Sequence, residues 1–258
     1  MTEVRRLYVL LCGYEVLPKV VSTRGRGERF ILAEPVCAYL LDTARGWVLL
    51  DTGVDPDYAN DPAERERHFL ANGWAPPVVR QAHVLERQLG ELGLTVADIG
   101  HVILSHLHYD HCARLDRFGA ARISIQRREH DWAFGGNPGQ GYLTRDYAAT
   151  GLDWDLRDGD WQAMPGLDLL DTRGHTAGHQ SAMITLPSGK AIVLPFDAGD
   201  LAENFTDEVL PGECHDAEAA GIALRRLNGL AYQNDAEMLL FHDPVAIQTM
   251  KLAPEFYD

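Results

Sequence analysis

At 258 residues, 46% hydrophobic and 24% charged, the chain has the composition of an ordinary globular protein of one large domain or two small ones, which excludes a disordered chain, a fibre and a coiled coil. A formal charge of −15 without a basic stripe argues against a nucleic-acid partner. No apolar run approaches the ~20 residues that a membrane-spanning helix needs.

The first apolar run, Leu7 to Cys12, follows Arg5 and Arg6. It is too short for a signal-peptide core and no small-residue cleavage site follows, so it reads as a strand in a cytoplasmic protein. Strand-like runs recur at 36–41 and 47–50. Residues 53–78, punctuated by Asp55-Pro56 and Asp61-Pro62, read as irregular. Ala82, Leu85, Leu89 and Leu92 have helical spacing, with Gly93 as a stop. Strands are expected at 102–106 and 121–126, a short helix from Arg127 to Phe134, and a glycine-rich irregular stretch over 135–160. Strand-like runs follow at Leu167–Thr172, 181–186 and 190–196, then a helical pattern at Ala220, Leu224, Leu227 and Ala231, and a last strand over 238–242. No repeat or linker interrupts the chain, so it reads as a single domain over 1–258. Strands outnumber interspersed helices, which places sheets at the centre and helices outside. Cys12, Cys37, Cys112 and Cys214 are scattered and read as reduced thiols.

Histidine placement is uneven. His106, His108, Asp110 and His111 follow a buried strand within six residues. On an extended backbone, side chains two apart share a side, so His106 and His108 can chelate one cation. Asp110 and His111, where the chain turns, can face a second beside it. Neutral imidazole and carboxylate suit zinc and its first-row neighbours. A chance polar loop would leave these groups unpaired at high cost. In Gly174-His175-Thr176-Ala177-Gly178-His179, flanking glycines permit a tight turn that presents His175 inward; His179 reads as a structural or supporting residue.

Together with Leu50-Asp51-Thr52-Gly53, a strand ending at Asp197 and a late histidine, this pattern resembles the metallo-β-lactamase superfamily over nearly the whole chain. The resemblance implies an α/β fold, an αβ/βα four-layer sandwich of two mixed β-sheets with helices on the outer faces. It assigns His106, His108 and His175 to one metal ion and Asp110, His111 and His242 to the other. Asp197 matches the bridging carboxylate, with Asp200 as rival. Two divalent ions are implied, zinc first, with manganese, cobalt or iron possible. The resemblance further implies that such ions would supply activated water at neutral pH and that Asp110 would carry the proton to the leaving group.

Within the superfamily, Ser105–His111, Gln126-Arg127-Arg128-Glu129, Gly178–Ser181, Asp197-Ala198, Glu203-Asn204-Phe205 and the ending from His242 to Tyr257 resemble the N-acyl-homoserine lactone lactonases and related γ-lactonases. That likeness implies lactone ring opening (quorum quenching) on a small-molecule substrate, with a homodimer whose contact includes Val20 to Pro35. Other esters or thioesters on the same site, or an iron-dependent redox relative, are the alternatives. Two positions depart from the lactonase pattern. Asp200 stands where those enzymes usually carry a substrate-facing tyrosine, so it must be protonated, turned away or tuned to another substrate. Cys112-Ala113-Arg114 replaces a Gly-Gly, with Cys112 read as a buried filler and Arg114 as a surface or rim residue. Phe69, Trp74, Trp132, Phe134 and Tyr142, in or beside the irregular stretches, are candidates for an apolar substrate wall.

Overall fold

The computed structural model describes residues 2–258. Six strands, β1 (Val4–Pro18), β2 (Ile31–Thr43), β3 (Gly46–Leu50), β4 (Ile99–Ile103), β5 (Arg122–Gln126) and β6 (Asp153–Arg157), form one sheet in that order. β1, β2 and β3 pair antiparallel; β3 to β6 run parallel. Five more, β7 (Trp161–Met164), β8 (Leu167–Asp171), β9 (Gln180–Thr185), β10 (Ala191–Leu194) and β11 (Glu237–Met238), form a second sheet that is antiparallel except for β10 and β11. The helices are α1 (Pro56–Asn60), α2 (Pro62–His68), α3 (Leu85–Glu91), α4 (Arg127–Ala133), α5 (Thr144–Tyr147), α6 (Ala202–Thr206) and α7 (Ala217–Gln233).

Layering follows from strand periodicity. Successive side chains point to opposite faces, so a continuous apolar run requires cover on both sides. Leu7 and Val9 of β1, with Cys37, Tyr39 and Leu41 of β2, pack between the sheets against Leu169, Ile184, Ile192 and Leu194. Their neighbours Tyr8, Leu10, Val36, Ala38 and Leu40 turn outward to Tyr58 of α1 and Leu89 of α3. Val193 of β10 turns away from its neighbours to meet Leu224 and Leu227 of α7. Burial of each such aliphatic or aromatic side chain is worth about 1.5–3 kcal/mol. Two mixed sheets with helices on both outer faces result, as the resemblance implied. Among the described residues no helix is long and apolar enough to cross a membrane, and all four cysteines are free.

Several boundaries differ from the sequence reading. The two Asp-Pro pairs within 53–78 start helices: Asp55 caps α1 and Asp61 caps α2 by accepting backbone N–H bonds, with proline at the first helical positions. The stretch 135–160 holds α5 and β6; Asp153-Trp-Asp-Leu-Arg is too polar to read as a strand, yet it pairs with β5 through Ile123 and Trp154. The helix expected from Ala82 is a 3₁₀ turn, Gln81–His83, followed by α3, and Gly93 adopts φ 78 beyond it. The last strand is only β11, because the chain turns at Phe241 and His242 to leave the sheet. In residues 20–35, Phe30 and Ile31 are exposed.

The two formerly irregular stretches are joined through a buried acid. Tyr58 Oη donates to Asp146 Oδ2 (2.8 Å), and Arg145 bridges to Asp55 Oδ2 (2.6 Å) and Asp57 Oδ2 (3.0 Å). Burial pushes the Asp146 carboxyl up to about 7. The folded chain therefore keeps a proton that the unfolded chain, with an ordinary aspartate near ~3.9, releases. This contribution to stability is complete below the unfolded value and is lost as pH rises towards the folded one. Wild type is expected to lose melting temperature between pH 5 and pH 8 more steeply than Asp146→Asn, which has no proton to lose there. Parallel melting profiles for the two proteins across that interval would refute the assignment.

Candidate metal centre

β4 ends where a carboxylate replaces the sheet ladder. Asp51, directly after β3, accepts from Ser105 N–H (2.7 Å) and Ser105 Oγ (2.8 Å), so the chain leaves the strand at Leu104. The strand expected through residue 106 is therefore shorter, and a loop rather than an extended edge delivers His106 and His108. Asp51 has φ 56 and is fully buried; a left-handed non-glycine residue of this kind costs of order 1–3 kcal/mol and persists only where its surroundings over-determine it. Phe196, just before Asp197, has the same conformation at φ 48. It turns the chain out of β10 into a 3₁₀ turn that carries Asp197 inward. Gly174 is required for close approach: at φ 145, a Cβ would lie 2.3 Å from Ala220 N in α7. The His175 turn thus rests on the start of that helix, where His215 N–H donates to the His175 carbonyl (2.9 Å).

The side chains converge in two groups that share one member. His106, His108, His175 and Asp197 place ligand atoms within 4.8 Å of one another, and so do Asp110, His111, Asp197 and His242. Asp197 divides its oxygens between them. Oδ2 lies 3.7 Å from His106 Nε2 and 3.4 Å from His175 Nε2, whereas Oδ1 lies 3.2 Å from His111 Nε2 and 3.4 Å from His242 Nε2. Asp110 Oδ2 is 3.1 Å from His111 Nε2 and 3.6 Å from His242 Nε2. Asp200 belongs to neither group.

The distal ring nitrogens of His106, His111 and His242 are occupied, which fixes their inward ones. His111 Nδ1–H donates to Asp51 Oδ2 (2.8 Å) and His242 Nδ1–H to the Pro35 carbonyl (2.9 Å); His106 Nδ1 meets Ser105 Oγ (3.0 Å). His179 takes the supporting role: its Nδ1 faces the Thr172 carbonyl (3.2 Å), and its Nε2 accepts from Asp197 N–H (3.1 Å). Asp243 is engaged elsewhere, accepting backbone N–H bonds from Ala202, Val245 and Ala246.

Charge and orphaned atoms both indicate a cation. His106 Nε2, His111 Nε2 and Asp197 Oδ1 are buried without a hydrogen-bond partner, and each such atom costs about 1–3 kcal/mol. Burial and adjacent imidazoles push His108 down to about 3 and His106 well down, so both rings are neutral donors at pH 7. Burial opposes the cationic form of His242 as well, but Asp197, Asp200 and Asp110 outweigh it and raise it to about 10. Protons and a divalent cation thus compete for this second group. The residues fit metal ions: nitrogen and carboxylate donors only, converging, with the outer nitrogens of His106, His111 and His242 held.

A profile described as the metallo-beta-lactamase superfamily matches residues 33–236. The chain belongs to that superfamily. Its His/Asp site is a divalent-metal site. Within the superfamily it is 31% identical to the N-acyl homoserine lactonase AttM of Agrobacterium fabrum, across 100% of both chains. It is also 31% identical to an N-acyl homoserine lactonase of a Bacillus species, across 98% of this chain and 99% of the relative. A solved N-acyl homoserine lactone hydrolase with N-hexanoyl-L-homoserine bound at its catalytic metal centre superposes with a TM-score of 0.88, 28% identity and full coverage of both chains.

In this metallo-β-lactamase-superfamily protein a cleft of about 370 Å³ reaches the metal centre between His108 and His175, walled by Trp132, Pro138, Tyr142, Glu213 and His215. Of the expected aromatic wall, Tyr142 and Trp132 stand in the cleft. Phe69 is buried in the core with its ring 5.2 Å from Tyr109, and Trp74 packs on that same core. Phe134 stacks on His130 at 4.4 Å, outside the cleft lining. Aromatic type and loop position do not distinguish a wall from a core, because that depends on which way the loop folds. Cys112 is buried, and Arg114 pairs with Asp116 (3.1 Å). Asp200 is buried with Oδ1 unpartnered, and burial with the Asp197 charge pushes its carboxyl well above the usual range. The supporting roles of Asp51 and Ser105 leave only one signal in the sequence, a carboxylate directly after a strand.

Proposed function

We propose that the protein is a metal-dependent hydrolase that opens N-acyl-homoserine lactones or related γ-lactones. The observation that carries this reading is the pair of ligand groups sharing Asp197 at the end of an open cleft, and the full-length likeness to named lactonases supports it. His106 Nε2, His108 Nδ1 and His175 Nε2 would hold one ion and Asp110, His111 Nε2 and His242 Nε2 the other, with Asp197 between them. Zinc suits this donor set best; manganese, cobalt and iron share the same preference for imidazole and carboxylate. Bound ions supply Lewis acidity and water activated at neutral pH.

The chain's own residues do the rest. Asp110, at the junction of the second group, takes the proton of the attacking water on its carboxylate and returns it to the ring oxygen as the ester C–O bond breaks. Asp51 and the Pro35 carbonyl keep His111 and His242 facing inward, so these rings need no reorientation during turnover. Trp132 and Tyr142 line the space available to the acyl substituent. Assembly as a homodimer through residues 20–35 belongs to the same reading, supported by exposed Phe30 and Ile31.

The test is metal content together with hydrolysis rates on lactones, aryl esters and thioesters. Two ions per chain and a preference for lactones are expected; a single iron, or a quantitative preference for thioesters, would replace the reading with an alternative activity. The cleft makes a further prediction. Trp132→Ala is expected to raise KM for long-chain acyl lactones about tenfold, the equivalent of about two buried methylenes, with little effect on short chains. Phe134→Ala is expected to leave chain-length selectivity unchanged, and the reverse pattern would move the acyl site away from this cleft.

A further inference from the structure

Glu129, the third residue of α4, is fully buried, and no step of the reaction uses it. Its two oxygens serve different loops. Oε1 accepts from Leu107 N–H (3.2 Å), the residue between His106 and His108, and from Tyr142 Oη (2.7 Å); Oε2 accepts from Gly178 N–H (2.9 Å), in the turn that carries His175. None of these donors is a cation, and all three hydrogen bonds that the buried carboxyl group accepts join loops at the site. The turn is also pressed onto α4: a Cβ on Gly178 would lie 2.3 Å from Glu129 N. Where the loops meet, His108 Nδ1 and His175 Nε2 are 3.1 Å apart, and the Tyr142 ring lies 4.7 Å from His108. The other ligand group is held by different partners, Asp51 for His111 and the Pro35 carbonyl for His242.

We propose that Glu129 is a positioning residue that sets the affinity of the His106, His108 and His175 group for its ion and leaves the Asp110, His111 and His242 group largely untouched. The inference rests on the two-ion reading of the site. One carboxylate holds the register between the His106–His108 stretch and the turn that carries His175, the three imidazoles of one ligand group. Removing either acceptor lets one loop retreat, and three nitrogens no longer meet at one point. In Glu129→Gln the side chain keeps its shape, but its NH₂ must face one of the N–H donors, which opposes that contact. Glu129→Asp keeps the carboxyl group and is one methylene too short to span both loops.

Cobalt(II) titration of the metal-free chain, followed by visible absorption and by melting temperature, tests this without using activity. Wild type is expected to take up two equivalents. In both Glu129 variants one equivalent should bind as in wild type and the other about 10–100-fold more weakly, the usual effect of losing an outer-sphere partner. At one equivalent, their spectra should match that of His175→Ala, in which the ion occupies the other group, and differ from that of His242→Ala. Two ions held with wild-type affinity in both variants would overturn the proposal. So would equal weakening of both ions, with or without a lowered melting temperature, since a merely structural role predicts no selectivity. Wild-type protein that binds no cobalt would instead overturn the two-ion reading itself.

Discussion

Asp197→Asn is expected to lower lactone hydrolysis about a thousandfold and to reduce bound metal at both positions together. Asp197 is the one side chain in both ligand groups, with a separate oxygen 3.4 Å from His175 Nε2 and 3.2 Å from His111 Nε2. An amide replaces one of these anionic oxygens by a donor that repels a cation, and removes the negative charge shared by the two ligand groups. Metal-derived stabilisation of the transition state is worth several kcal/mol, and about 4 kcal/mol corresponds to three decades in rate. Other ligand substitutions should differ in kind: His175→Ala and His242→Ala each disable one group. Metal analysis alongside kcat/KM separates the two patterns. An Asp197→Asn protein that retains two ions and wild-type turnover would remove the shared carboxylate from the account.

Asp110→Asn is expected to cost lactone opening about 10²–10⁴-fold, the range associated with loss of a general acid–base group. The amide oxygen can still face His111 and His242, which approach Asp110 Oδ2 at 3.1 and 3.6 Å, but it cannot hold a transferable proton. The leaving group discriminates the cause. A ring-opened lactone departs as an alkoxide and needs that proton, whereas an aryl ester leaves as a stable phenolate and does not. Lactone hydrolysis should therefore fall much further than aryl-ester hydrolysis by the same variant. Equal losses on both substrates would attribute the effect to disturbed metal binding, and proton delivery would have to be assigned elsewhere.

The candidate ligands around the His106–His111 run are legible because they are local, whereas Asp197 and His242 follow only from the family resemblance. His106, His108, Asp110 and His111 lie within one turn of chain, and His175 sits between glycines whose purpose the close approach to α7 makes plain. Strand runs such as Leu7–Cys12 were legible for a related reason: burial on both faces leaves an uninterrupted apolar record. By contrast, α1 and α2 read as irregular chain in the sequence because Asp-Pro suits a turn as well as a helix cap, and only the hydrogen bonds accepted by Asp55 and Asp61 distinguish them. β6 escaped notice because its exposed edge carries Asp153, Asp155 and Arg157.

Spacing and residue type, read alone, indicate central sheets, outer helices and a His/Asp cluster able to face cations, because these depend on near neighbours and on the period of a strand; the family resemblance supplies the four-layer sandwich and the hydrolytic chemistry. Folding had to supply the rest. Which of Phe69, Trp74, Trp132, Phe134 and Tyr142 face the cleft, that Asp51 holds His111, and that Glu129 ties two ligand loops together all depend on segments tens of residues apart being brought into hydrogen-bond range. A carboxylate's partners are set by that three-dimensional proximity, and one-dimensional spacing carries no trace of it.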